Sequence, residues 1–390
     1  MRAIGLMSGT SLDGIDAALV ELQPRADGVS ARLQRFITVP FRRELHERLL
    51  AALPPHEPSL DTLTFLDAEL GRCFALAART VARGDAVDFV ASHGLTAFHR
   101  GEAQRTLQIG DPYLIRDALE ATVICDFRRA DCAAGGNGAP LVPYVDALLF
   151  TSNERHTIAL NLGGIANVTV LRRGAPVQTA TAWDTGPGNM LIDAFVRSRT
   201  SGAEHFDRDG AYAARGTASE RVVRELCARE AFFLAQPPPK STGRERFGAQ
   251  LLAAQADLFT NLSLEDGCAT LCAFTVATVT ESLGNYGPAG ARIIASGGGT
   301  HNTTLVRLLR ERFARAGCEF ALSDAFGIDP DAKEALAFAI LGYETLRGRP
   351  SNVAGATGAA HPVLLGAIVP YRLNALLAKF AAPLAANLGA

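Results

Sequence analysis

The chain of 390 residues is 48% hydrophobic with a formal net charge of −2. That supplies apolar material for two buried cores and excludes the basic field that nucleic acid or an acidic membrane would require. Seven cysteines without a C-x-x-C pair, Cys268 and Cys272 one helical turn apart among them, read as reduced core residues of a cytoplasmic protein.

No apolar run has membrane-spanning length, and the opening apolar run is too short for a secretory leader. Residues 4–22 predict strand, tight glycine turn, strand. Gly9 and Gly14 free the backbone there, and the N–H groups of the stretch Gly9, Thr10, Ser11, Leu12, Asp13, Gly14, Ile15 and Asp16 suit an anion. Asp13 and Asp16 would repel a bare phosphate, so a Mg²⁺ held through water is expected beside them. The alternative is an ordinary hairpin with a polar turn. Further on, Ser59 is expected to cap a long helix whose stripe runs Leu60, Leu63, Leu66, Leu70, Phe74, Ala77 and Val81. Val87 to Ala91 predicts a buried strand opening into Ser92-His93-Gly94, where His93 is either a substrate ligand or a structural histidine. Arg128, leaving the strand Val123 to Cys125, suits a fork onto a carboxylate or phosphate, or equally an ion pair with Asp126 or Asp131. Ala133 to Gly138 reads as a flexible joint and domain boundary.

About one domain length after the first hairpin, Thr157 to Leu171 repeats its plan around Gly163 and Gly164. Two such hairpins predict a duplicated α/β fold whose halves each present a phosphate-holding turn to a shared cleft. Asp184 precedes a glycine turn and the helix from Met190, so it is either a general base or part of turn and capping chemistry. Pro237 to Phe247 reads as an exposed loop. Ser263 and Asp266 are expected to cap a long helix from Leu264. Gly297, Gly298 and Gly299, between a strand and a helix, are expected to border a nucleotide's base or ribose. No lysine follows a glycine-rich loop, so the G-x-x-x-x-G-K-[ST] phosphate loop is missing from the sequence. Glu334 falls in the first turn of a helix rich in small residues, where a carboxylate also complements the dipole.

Taken together, eight stretches resemble the anhydro-N-acetylmuramic acid kinases. They are G-L-M-S-G-T-S-L-D-G-I-D (5–16), D-F-R-x-x-D (126–131), G-G-N-G-A-P-L-V-P (135–143), N-L-G-G-I-A-N-V-T (161–169), D-T-G-P-G-N (184–189), P-K-S-T-G-R-E-x-F (239–247), S-G-G-G-T-H-N (296–302) and E-A-L-A-F-A (334–339). Departures are Leu95 where the family shows Gln, Asn137 where Gln is usual, and Ala354 in place of a proline. The resemblance implies the two-domain duplicated ATPase fold of actin, hexokinase and Hsp70, with ribonuclease H-like halves and a central nucleotide cleft. The expected lobes are 1–130 plus 348–390, and 131–347. It implies ATP and 1,6-anhydro-N-acetylmuramic acid as substrates, Mg²⁺, a homodimer, and a product, N-acetylmuramic acid 6-phosphate, in peptidoglycan recycling. Asp184 would deprotonate the attacking water with Glu334 helping to place it, and Arg128, His93 and Asn189 would bind the sugar. A plain sugar kinase, a phosphatase and a switch ATPase of the same fold are the rivals.

Overall fold

The computed structural model describes residues 1–9, 12–25, 28–54, 56–284 and 287–381. Its strands are β1 (Arg2–Ser8), β2 (Gly14–Arg25), β3 (Gly28–Pro40), β4 (Phe89–Arg100), β5 (Arg105–Ile109), β6 (Thr122–Cys125), β7 (Thr157–Leu162), β8 (Ile165–Leu171), β9 (Thr181–Pro187), β10 (Arg292–Ser296), β11 (Glu319–Leu322) and β12 (Ala367–Val369). The helices that matter below are α1 (Leu60–Ala82), α2 (Met190–Arg199), α3 (Leu264–Gly284), α4 (Thr303–Arg315) and α5 (Lys333–Leu346).

Two compact units divide the chain: Met1–Leu148 with the described residues from Ala332 on, and Leu149–Asp331. In the first, the sheet order is β12-β6-β4-β1-β2-β3, with β5 on β4. Strands β1, β2 and β3 form an antiparallel meander, and β4 then runs parallel to β1 and to β6. Alternation along β1 assigns its faces. Ile4 and Leu6 join Leu66, Leu70 and Phe74 of α1 in one buried cluster. On the other face α5 crosses so close that a Cβ on Gly5 would collide with the carbonyl of Ala335. Ser59 caps α1 as expected, accepting from Thr62 N at 3.1 Å, a contact worth about 1 kcal/mol.

In the second unit the order is β11-β10-β7-β8-β9. Again three antiparallel strands lead, and β10 and β11 follow in parallel with β7. Both units therefore share one topology, with the meander's first strand central and the crossover strands added beside it. That is the duplication the paired hairpins predict. The core gathers Ile158, Leu160, Trp183, Phe195, Phe274 and Leu305, with Cys268 and Cys272 fully buried on α3 and unoxidised. Trp183 lies in this core because its indole N–H reaches Ser282 Oγ at 2.8 Å, so no polar atom is stranded. Ser263 Oγ accepts from Asp266 N at 3.0 Å ahead of α3, as expected.

Two expectations are corrected. The expected boundaries at 130/131 and 347/348 move to 148/149 and 331/332, because α5 packs along β1, β2 and β4 of the first unit. The stretch 133–138 is not a joint: Gly136 N donates to Asp131 O at 2.9 Å and Asn137 N to Thr357 O at 2.8 Å.

Candidate active site

In the second unit, Asp184 sits on β9 opposite Asn167, beside a bulge where the pairing shifts between Ala166 and Asn167. Such a bulge re-aims neighbouring side chains. The Asp184 backbone N–H donates to Lys240 O at 3.0 Å, while its Oδ2 accepts from Thr242 N at 2.8 Å and Ser241 Oγ at 3.2 Å. Oδ1 has no donor among the described residues. Burial raises the carboxyl to about 6, against the pull of the Thr242 and Ser241 hydrogen bonds. The result is a carboxylate with one oxygen tied, one free, and a basicity suited to proton transfer near neutral pH.

The loop that holds Asp184 was expected to be exposed; Pro237, Pro239, Ser241, Arg244 and Glu245 are, but Lys240 and Phe247 are not. Lys240 is buried, its ammonium donating to Phe233 O at 3.0 Å and Leu234 O at 3.1 Å above the Phe233 ring. Phe247 is fully buried against Phe233. A run of prolines, Ser, Thr, Gly and Arg resembles solvent-facing chain, yet two helix-end carbonyls and an aromatic face give its lysine a buried seat. Ser241 and Thr242 are thus functional candidates that the residue-by-residue reading passed over; only their place in the P-K-S-T-G-R-E-x-F stretch pointed to them.

The Gly163-Gly164 turn is sewn to the segment after Asp184. Asn189 N donates to Gly163 O and Gly188 N to Gly164 O, both at 2.9 Å. Its own N–H groups find no acceptor among the described residues, which leaves them for an anion. The three glycines after β10 divide by role. Side chains at Gly297 (φ 89°) and Gly299 would collide with Leu162, at the end of β7. A Cβ on Gly298 would meet nothing within 4 Å. Only Gly298 opens onto free space, as a nucleoside neighbour must; Gly297 and Gly299 let the chain pass β7. The Asn189 amide lies against Gly299.

In the first unit, Thr10 and Ser11 lie outside the described residues. Leu12 and Ile15 are buried in the core, and the Leu12 N–H is already used within the turn, donating to Gly9 O at 3.2 Å. Gly14 packs against Val39, and Ser8 Oγ donates to Gly14 O at 2.8 Å, closing the hairpin neck below Gly9. Asp13 is exposed; Asp16 accepts from Thr38 Oγ1 at 2.6 Å. No cluster of three or more His, Cys, Asp or Glu side chains suited to a metal occurs among the described residues. One exposed carboxylate and one partly engaged one still fit a Mg²⁺ that keeps most of its waters and takes its remaining oxygens from phosphate.

Arg128 does not form the ion pair with Asp126 or Asp131 that its spacing allowed. Asp126 pairs with Arg129 instead, and Arg128 makes no ion pair among the described residues. Its Nε donates to His93 Nε2 at 2.9 Å and its Nη1 to Gly138 O at 2.8 Å. His93 is buried, and its Nδ1–H donates to Gly94 O at 2.9 Å. Both ring nitrogens are thus engaged by protein partners, the arrangement expected of the structural alternative for His93. Desolvation and the nearby Arg128 charge hold it well below the ordinary histidine range, so it is neutral. Glu334 opens α5, raised by burial against the opposing pull of Lys333 and Arg128; Lys333 is itself buried on Asp146 at 3.1 Å.

The duplicated α/β fold and the comparisons with known proteins together give the class, a phosphotransferase of the sugar-kinase kind. A sequence model described as "Anhydro-N-acetylmuramic acid kinase" matches residues 1–371. The chain belongs to the anhydro-N-acetylmuramic acid kinase family. Among relatives of that name, one from Rhodococcus erythropolis is 41% identical over 382 residues, covering 95% of this chain and 94% of the relative. Those of Streptomyces avermitilis and Picosynechococcus are 42% and 41% identical, each over 95% of this chain and over 95% and 100% of the relative.

Proposed function

We propose that this chain is an ATP-dependent kinase that opens 1,6-anhydro-N-acetylmuramic acid with water and phosphorylates it to N-acetylmuramic acid 6-phosphate, a step of peptidoglycan recycling. The observation that carries the reading is Asp184: Thr242 and Ser241 hold Oδ2, burial raises its basicity, and Oδ1 is free. Asp184 takes a proton from water as the water oxygen bonds to the anomeric carbon. The bond from that carbon to the bridging oxygen breaks, and the released 6-oxygen attacks the γ-phosphorus of ATP, expelling ADP. Approach opposite the bridge inverts the anomeric centre, as in inverting glycosidases.

Glu334 helps place the water, and Arg128 receives the lactyl carboxylate of the sugar. The N–H groups of Gly163 and Gly164 would hold phosphate, the Gly9–Asp16 stretch is the second phosphate-binding candidate, and Gly298 borders the nucleoside. A Mg²⁺ bound through water near Asp13 and Asp16 would neutralise phosphate charge. Asn189 remains a candidate sugar contact. The reading includes a homodimer in the cytoplasm; no described helix is long and apolar enough to cross a membrane. The test is the product mass. Purified chain with ATP, Mg²⁺ and the anhydro sugar should yield a sugar gaining one phosphoryl group and one water. A gain of the phosphoryl group alone would reduce the reading to a plain kinase.

A further inference from the structure

Arg128 has five N–H donors, and the structure shows which are already used. Nε is bound to His93 Nε2 and one hydrogen of Nη1 to Gly138 O. A carboxylate therefore cannot dock side-on across Nε and Nη2. The end-on fork, Nη2 with the second hydrogen of Nη1, is left. Both partners are neutral, so the guanidinium charge is uncompensated by its own hydrogen bonds and complements an incoming anion.

The two partners are themselves fixed. The His93 ring lies 4.6 Å from that of Phe338 on α5, and its Nδ1–H is anchored on Gly94 O. That bond sets the tautomer and leaves Nε2 as the acceptor for Arg128. On the other side, the Gly138 carbonyl is turned toward Arg128 because the Gly138 N–H is held by Asp131 Oδ2 at 2.8 Å. Asp131 is fully buried, and its Oδ1 accepts from Asn352 Nδ2 at 2.6 Å and Thr357 Oγ1 at 2.7 Å. Side chains at Gly136 and Gly138 would collide with Asp131 and Cys132, so the loop reaches this carboxylate only as glycine. Both ring nitrogens of His93 and both carboxylate oxygens of Asp131 are engaged by protein partners, and both residues bear on Arg128, His93 directly and Asp131 through Gly138.

We propose that His93 and Asp131 are positioning residues that lock Arg128 in its end-on orientation, and that this lock sets the preference for an acceptor bearing a carboxylate. The proposal rests on Arg128 as the carboxylate ligand. An unlocked arginine must be ordered on binding, which costs on the order of tenfold in affinity.

The test compares 1,6-anhydro-N-acetylmuramic acid with its carboxylate-free counterpart, 1,6-anhydro-N-acetylglucosamine, by KM for the first and inhibition constant for the second. His93→Leu removes the acceptor and should raise the KM for the acid about tenfold, leaving the inhibition constant and the KM for ATP unchanged. His93→Gln, which restores an acceptor, should recover most of the loss. Thr357→Val should shift the acid KM in the same sense, and Thr357→Ser should not. In an Arg128→Gln background, His93→Leu should add nothing. Equal losses for both sugars, or additive losses in the double variant, would overturn the lock. If Arg128→Gln itself weakens both sugars alike, the carboxylate assignment falls and the lock with it. If Arg128→Gln discriminates between the sugars and His93→Leu does not, the lock alone falls.

Discussion

The same stretch of parallel strand occurs twice in this molecule with different contents. On β4 the chain reads Ala91-Ser92-His93-Gly94, with Ser92 opposite Leu6 of β1; on β10 it reads Ala295-Ser296-Gly297-Gly298, with Ser296 opposite Asn161 of β7. Both serines are buried, and neither hydroxyl has a partner among the described residues. In the first unit the strand runs on to Arg100 and keeps a histidine that holds Arg128. In the second it ends at once, and three glycines lead to α4. Duplicated scaffolds thus diverge where side chains are kept or stripped. One half retains a guanidinium on neutral supports, suited to an acidic sugar. The other exposes backbone, suited to phosphate and nucleoside, and carries Asp184, the proposed base.

That division can be broken at several points, and the largest effect is expected at the base. Asp184→Asn should lower kcat by ~10²–10⁴ while calorimetric ATP affinity stays near wild type, because the substitution keeps the size and the Thr242 contact. Near-normal turnover would move the base to Glu334 and to the other unit.

Next come the stripped positions. Gly298→Val should fold normally, since its Cβ meets no atom within 4 Å, and should weaken ATP binding by roughly tenfold, a steric loss of about 1.4 kcal/mol. Gly163→Val and Gly9→Val should weaken ATP in the same titration. Gly299→Val should instead lower the melting temperature, through its collision with Leu162. Unchanged ATP affinity in the folded Gly298 and Gly163 variants would remove nucleotide binding from this side of the comparison.

A smaller effect concerns pH. Asp184 must be ionised to act, and burial places its carboxyl at about 6. Activity should therefore hold above that value and fall about tenfold per unit below it. Ser241→Ala removes a donor that favours the ionised form, so the acid limb should move to higher pH with only a few-fold loss at neutrality. A limb that stays in place would show that Ser241 does not tune the base.

Much of this was legible in the sequence where signals are local. Both hairpins follow from alternation around glycine, and the α1 stripe with its Ser59 cap follows from helical spacing. What escaped depends on distant partners. Asp131 takes its donors from Asn352 and Thr357, 221 and 226 residues away, so Ala133 to Gly138 looked like a joint rather than a clamped loop. Lys240 looked exposed because nothing nearby announces the carbonyls of Phe233 and Leu234 as its seat. His93 was read as either a substrate ligand or a structural histidine, and the bond to Arg128 that engages its ring appears only on folding. Of the three glycines after β10, only contacts with β7 separate the packed pair from the open one.

The central claim is that Asp184 drives water onto carbon rather than phosphorus, and oxygen tracing tests it most directly. Turnover in ¹⁸O-labelled water, sampled early and corrected for exchange of unlabelled product, should place one label on the anomeric hydroxyl of the sugar phosphate and none on its phosphoryl group. Label on phosphate, or sugar phosphate formed without any enzyme-dependent label, would contradict the account.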